Sequence, residues 1–457
     1  MPGDTVHVWS DLDPVTMTFQ GWIGDTSLLA DTEEWHTTFI MPDNDVYFYA
    51  LQDSTGLIDF EYEIIQGAEN QKNVYYKFPE NSIGTIFFFH GGSGNAEDFA
   101  DRVETIQFSQ DALQKGYGII ITESENATLN TGLNRWLLDS LTIEENIDIA
   151  NIQALIDTFT IRGSINAQDP IYSAGVSNGG NFSSVVAHAL NFSAAAMYCA
   201  QGIPPALYLV TETPTVFCPA KYDPALGGGN WAAHMNFDFL QSRGIPSAFY
   251  ELDHSPAYPQ RFARIPGIDT TLSNDLFSEL LTMGFIDNDH YFTVLDDSIQ
   301  SLYMANPDTF SVLGTLNILT IRHVLDQIKV ITADHSFFAD YNERVLTFFN
   351  MYSDVLSTAK DSSIPHQYTL YSAYPNPFNP ITTLRYNFPE NGHVNITIYD
   401  MLGRQVKSLI NQTQDAGFKS VIWDATNNQG KPVSAGVYLY QIQAGDFVQT
   451  KKMVLLK

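Results

Sequence analysis

The residues best placed to do chemistry are Gly175-Val176-Ser177-Asn178-Gly179, which follow the apolar run Ile171-Tyr-Ser-Ala174. A Gly-x-Ser-x-Gly pattern between a strand-like run and a helix-periodic one predicts a nucleophile elbow. In so tight a turn the serine takes a strained backbone conformation, and the flanking glycines keep Cβ atoms from colliding with it. The hydroxyl oxygen is then held at a helix N-terminus, where the dipole and free N–H groups favour a developing oxyanion. A serine used this way needs a base to take its proton, an acid to orient the base, and donors for the oxyanion.

Each of those partners has a candidate. Phe87-Phe-Phe-His90-Gly-Gly-Ser-Gly94 reads as a buried strand ending in a glycine-rich turn. The N–H of Gly92, with Gly91 as the alternative, and the N–H of Asn178 are the expected oxyanion donors. His90 itself reads as structural. Thr215-Val-Phe-Cys-Pro-Ala-Lys-Tyr-Asp223-Pro224 is a strand followed by a loop with one carboxylate. Asp223 is therefore the candidate acid, against the plainer reading of an Asp that shapes a turn before proline. Glu123 and Glu125 precede the serine, out of the order serine, acid, histidine. Two histidines compete as base. His254 follows the strand-like Ser247-Ala-Phe-Tyr-Glu-Leu252 and leads into the loop Ser-Pro-Ala-Tyr-Pro. His335 follows Ile328-Lys-Val-Ile-Thr332 and precedes a long helix predicted over 337–349, with Phe338, Tyr341, Val345, Leu346 and Phe349 on its apolar face. That helix and the chain order favour His335, with His254 the alternative. His188, His234, His290 and His323 read as bystanders, and His7 and His36 as surface strand positions. This chemistry calls for no cofactor and no metal.

The elements that must position these residues fall in a middle block, 56–355. Strand-like runs at 60–65, 74–78, 84–89, 118–122, 171–174, 194–198 and 215–217 alternate with helical runs around 96–114, 145–161 and 230–243. Apolar strands alternating with helices predict an α/β fold with a mostly parallel sheet covered on both faces. Phe182, Val185, Val186, Ala189 and Leu190 follow the serine at helical spacing, as an elbow requires. If His335 is the base, 255–327 is an insertion between acid and base, read as a helical cap. Residues 1–52 alternate as a small β-module, and 356–367 form a polar linker. Residues 368–457 read as a β-sandwich of short strands between Asn, Gly and Pro turns.

Composition narrows the rest. The chain has 457 residues, 44% hydrophobic and 13% aromatic, which suits about two to four globular domains. Lys and Arg number 22 against 52 acidic residues, a formal charge of −30. Nucleic acid is excluded as a partner by that balance, since phosphate binding needs a basic surface. No apolar run reaches the ~18 residues of a membrane span. Cys199 and Cys218 sit in apolar, strand-like runs and are expected to be buried free thiols rather than a bridge.

Three resemblances add expectations. Gly3-Asp-Thr-Val, Phe19-Gln-Gly-Trp-Ile-Gly-Asp25 and Thr37-Thr-Phe-Ile-Met-Pro42 resemble one copy of a family of bacterial surface β-repeats. This implies a spacer, or a module for glycan or surface contact. His90-Gly-Gly-Ser-Gly-Asn-Ala-Glu-Asp-Phe99, Gly116-Tyr-Gly-Ile-Ile120, Arg135-Trp136 and Gly175-Val-Ser-Asn-Gly-Gly180 resemble the secreted polyhydroxyalkanoate depolymerase and feruloyl-esterase-like branch of the α/β-hydrolases. That resemblance implies cofactor-free hydrolysis of carboxylic esters; it does not establish a polymeric substrate. Tyr374-Pro-Asn-Pro-Phe-Asn-Pro380, Ile398-Tyr-Asp-Met-Leu-Gly-Arg404, Trp423-Asp424, Ser434-Ala-Gly-Val-Tyr438 and Lys451-Lys-Met-Val-Leu-Leu-Lys457 resemble the C-terminal sorting domain of the bacterial type IX secretion system. It implies handling by that machinery and a secreted or surface-attached product. Such a domain also implies an N-terminal signal peptide, which Met-Pro-Gly-Asp-Thr-Val does not resemble, so a trimmed or incomplete precursor is expected. The resulting expectation is an exported serine esterase, with a serine peptidase or a noncatalytic surface-binding protein as alternatives.

Overall fold

The computed structural model describes residues 2–10, 17–54, 58–166, 168–226, 230–353, 368–370, 373, 376, 378–380, 382–445 and 447–456. The linker expected at 356–367 lies outside the described residues. Two compact units are present. One comprises Met1–Pro204, Thr213–Phe237 and Pro246–Ser357; the other comprises Pro205–Glu212, Asp238–Ile245 and Thr358–Lys457. No helix among the described residues is long and apolar enough to cross a membrane.

The first unit opens with four short strands, β1 (Thr5–Trp9), β2 (Met17–Gly24), β3 (His36–Ile40) and β4 (Phe48–Ser54). They pair antiparallel as β1 with β3, Trp9 opposite His36, and as β2 with β4. The β2–β4 ladder begins at Phe48. Tyr47 instead gives its N–H to the Asp25 carboxylate and its carbonyl to the Asp25 N–H.

Eight further strands make the central sheet: β5 (Glu61–Gln66), β6 (Gln71–Lys77), β7 (Gly84–Phe89), β8 (Tyr117–Thr122), β9 (Ile171–Val176), β10 (Ala194–Tyr198), β11 (Thr215–Cys218) and β12 (Ser247–Phe249). Their order across the sheet is β12-β11-β10-β9-β7-β8-β6-β5. β5 and β6 form an antiparallel hairpin, β6 pairs antiparallel with β8, and the other pairings are parallel. This order, with the serine turn after the fifth strand, is the α/β-hydrolase fold. β7, β8, β10 and β11 are buried along their whole length, which is why they read as unbroken apolar runs rather than alternating ones. Side chains still alternate between faces. Ile86 and Phe88 join Phe108, Val345 and Phe349 in one core layer, while Phe89 packs on Trp136 and Phe182.

Two local expectations change. The helix expected over 337–349 is Asn342–Met351, and the residues before it form a loop. In that loop the Ala339 N–H donates to the buried Glu104 carboxylate at 2.8 Å. Phe337 and Phe338 still reach the sheet core from this loop. The run Ile328–Thr332 is the end of the helix Ile318–Ile331, which continues past the insertion boundary expected at 327. Its Val330 enters the sheet core, whereas Ile328 and Ile331 enter a separate cluster. That cluster, with Phe262, Leu276, Leu280, Ile299 and Val324, is the core of the helical insertion.

The second unit holds two antiparallel sheets. One has the order β13 (Thr369–Leu370), β14 (Thr382–Phe388), β17 (Gly417–Trp423); the other has β16 (Gln405–Gln414), β15 (Gly392–Asp400), β18 (Gly436–Ala444), β19 (Phe447–Leu455). Leu384 and Tyr386 from the first sheet share a core with Ile396, Ile398, Tyr440 and Met453 from the second, as in a β-sandwich. Of the segment 374–380, residues 374, 375 and 377 lie outside the described residues, and Phe378 is buried in this core.

Candidate active site

Ser177 stands at the corner between β9 and the helix Asn178–Ala189, with φ 59° and ψ −122°. That conformation is unfavourable for a residue with a Cβ, and the surroundings over-determine it. The Ser177 N–H donates to the Tyr198 carbonyl at 2.8 Å, and its own carbonyl accepts the first helical bond from Asn181. The flanking glycines are required by close approach. A Cβ on Gly179 would lie 2.3 Å from the carbonyl oxygens of both Phe89 and His90, and one on Gly175 would lie 2.5 Å from the Gly179 oxygen.

The glycine-rich turn after β7 packs directly against this corner. Positions for a Cβ on Gly91 and on Gly92 lie 3.6 Å from the Cβ atoms of Ser177 and Asn178 respectively. His90 is held by two bonds, Nδ1 donating to the Gly91 carbonyl at 2.7 Å and Nε2 accepting from the Ser124 N–H at 3.2 Å. Both nitrogens are thus committed, and burial lowers its pKa to about 4. A neutral, fully bonded imidazole fits the structural role expected for it. One feature was not foreseen. The Asn178 side chain clasps Trp136, accepting its N–H at 2.7 Å and donating to its carbonyl at 3.2 Å. The Trp136 ring is stacked on Phe182, and its indole N–H bonds the His90 carbonyl at 3.0 Å. The sequence signal for this clasp is Arg135-Trp136, which stands out only as part of the esterase resemblance.

Asp223 and His335 are brought together across 112 positions of sequence, with Asp223 Oδ2 2.6 Å from His335 Nδ1. The other carboxylate oxygen accepts the Ala225 N–H at 2.8 Å. Asp223 therefore shapes the turn before proline and also faces the histidine; the two readings of it are compatible. Its carboxylate is buried, and the neighbouring Tyr222 N–H donates to the Ala333 carbonyl at 3.0 Å, tying the two loops together. Nδ1–H donation to the carboxylate leaves Nε2 as the acceptor nitrogen. A cleft of about 160 Å³ is lined by Ser177 and His335 together with His90, Gly91, Gly92, Arg102, Asp326 and Lys329. His254 is not among its lining residues. It sits with its ring edge-on to Tyr222 and Tyr291, and burial lowers its pKa.

Cys199, Asp223 and His335 form the one group of metal-ligating types among the described residues, their ligand atoms lying within 4.8 Å of one another. The donors do not suit a metal. Burial pushes the Cys199 thiol far above its usual range, and the thiol donates to the Ser336 carbonyl at 3.1 Å. Cys218 is likewise buried and free.

Comparison with known proteins gives the following. Residues 372–456 match the family model for the secretion system C-terminal sorting domain. No curated protein matches the chain. Among solved structures, latent PorU from Porphyromonas gingivalis is similar at 22% identity over 21% of this chain and only 10% of its own, with a TM-score of 0.17. A ferulic acid esterase is similar at 11% identity over 42% of this chain and 89% of its own, with a TM-score of 0.35. The dienelactone hydrolase of Anabaena variabilis is similar at 14% identity over 51% of this chain and 99% of its own, with a TM-score of 0.34.

Proposed function

We propose that this chain is an exported serine hydrolase that cleaves carboxylic esters through an acyl-enzyme. The observation that carries the reading is the 2.6 Å bond between Asp223 and His335 at a cleft that Ser177 also lines. Ser177 Oγ attacks the ester carbonyl as His335 Nε2 takes its proton, and Asp223 stabilises the imidazolium. The N–H groups of Gly92 and Asn178 hold the oxyanion, and His335 passes the proton to the departing alcohol. Water, deprotonated by the same imidazole, then releases the acid and restores Ser177. Support comes from the strained serine corner, the glycine turn packed against it and the acceptor nitrogen left on His335. The sorting domain supports handling by the type IX machinery and a secreted or surface-attached product.

A chromogenic ester panel of graded acyl length, a solid polyester and a peptide substrate test this on wild type and Ser177→Ala. Ester turnover that falls by about 10⁴-fold or more in the variant is the expected result. Turnover that survives the substitution removes Ser177 as nucleophile. Hydrolysis of the peptide but not the esters would make the protein a peptidase.

A further inference from the structure

Five residues after His335, the same loop carries a second buried carboxylate. Asp340 is 5% exposed, and its Oδ1 lies 3.1 Å from Nδ1 of His36, the first residue of β3. His36 was expected on the surface; it is instead packed against the hydrolase core. Its Nε2 meets His7 Nδ1 at 3.0 Å, and the Trp9 ring stacks on His36 and lies tilted against Tyr258. The residues just before β3 grip the same region. Trp35 lies beneath the Arg264 guanidinium at 4.3 Å, and Asp31 takes Arg344 at 2.5 Å.

Asp340 is held by His36 and lies in the field of the buried Arg261 and Arg264, and Glu104 accepts from Arg264 at 2.9 Å. Of these groups, His36 is the one hydrogen-bonded to Asp340, so it fixes where the carboxylate sits. The loop from Ala333 to Tyr341 is consequently fastened along its length. Tyr222 and Asp223 hold its start, Cys199 holds Ser336, and Glu104 holds Ala339. Among the described residues, the fastening that the N-terminal β-module supplies to this loop is at Asp340.

We propose that the N-terminal module is a positioning clamp, in which His36, through Asp340, fixes the loop that sets His335 against Asp223 and Ser177. The clamp rests on the reading of His335 as the base for Ser177. It replaces the expectation of a plain spacer and makes the module part of the catalytic unit. Misplacement of a reacting group by a fraction of an ångström to an ångström is costly, so a loosened loop end lowers turnover without emptying the binding cleft.

The test uses the full chain with His36→Ala, His36→Gln, His36→Asn and Ser177→Ala, reading kcat and KM on a short chromogenic ester alongside the thermal midpoint. Asparagine can place an N–H near the Nδ1 position, whereas glutamine places it near Nε2. His36→Ala and His36→Gln should lower kcat about tenfold with KM within about twofold, and His36→Asn should recover most of the loss. Wild-type kcat in folded His36→Ala overturns the clamp. If alanine prevents folding, equal kcat for the asparagine and glutamine variants overturns it as well. Should Ser177→Ala keep its turnover, the hydrolase reading itself falls; should only that variant be inactive, the clamp alone falls.

Discussion

Asp223–His335 and Asp340–His36 are two carboxylate–histidine pairs on one loop, and they differ in what the second ring nitrogen meets. In the first, the loop supplies the histidine, whose side chain is 27% exposed and lines a cleft. In the second, the loop supplies the carboxylate, and the far nitrogen of the 12% exposed His36 is taken up by His7. A bonded pair with one nitrogen left over can move a proton. With both nitrogens engaged, the same pair fastens instead.

Substitutions can break that contrast. The largest effect is expected from Asp223→Asn, which offers Nδ1 the wrong partner and should cut kcat by about 10⁴-fold. Asp340→Asn should cost about tenfold, because it acts on position and not on the proton. Near-equal losses, read as kcat on the same ester, would erase the distinction drawn between the pairs. His335→Ala should match Asp223→Asn within an order of magnitude, while His254→Ala stays within about twofold of wild type. The reverse pattern would move the base to His254.

Gly179→Ala probes the scaffold beneath the first pair. Its Cβ would meet two carbonyl oxygens at 2.3 Å, so the corner must open at a cost of about 3 kcal/mol. Urea unfolding should show the shift, and an unchanged midpoint would mean that the strand-to-helix turn tolerates a side chain.

The smallest effect concerns the second pair and acid. Burial, aided by the neighbouring His36, holds the His7 pKa at about 4, below its ordinary 6.5. The folded protein then binds fewer protons than the unfolded chain between those values. The contribution of neutral His7 is whole above pH 6.5 and is lost as the pH falls toward 4. Thermal midpoints measured from pH 7 to pH 4.5 should fall less in His7→Gln than in wild type. Identical falls would separate His7 from the acid response.

Much of the fold was legible in the sequence because its signals are local. Unbroken apolar strands, the helix after Ser177 and the glycine corner need only their own neighbours to be read, and chain order placed Asp223 and His335 as partners. What escaped depends on residues far apart in sequence. The His36–Asp340 bond spans 304 positions, and the Asn178–Trp136 clasp spans 42. The loop at 337–341 carries an apolar helical spacing although it is not helical, because Phe337 and Phe338 are buried in the sheet core from the loop, and its Ala339 N–H goes to the distant Glu104. Periodicity reports which side chains are buried; it does not report which distant acceptor takes a backbone N–H.

The Cys199 thiol, a few ångströms from Asp223 and His335, has a consequence for durability. A secretion sorting domain implies export from the reducing interior, where thiols are kept safe by glutathione and thioredoxin. Attack by peroxide or disulfide requires a thiolate with access to solvent. Burial keeps Cys199 and Cys218 protonated and out of reach. Two free sulfurs can therefore sit in the core of a protein that carries an export signal, one of them beside Asp223 and His335, with no need of a reductant to keep them as thiols.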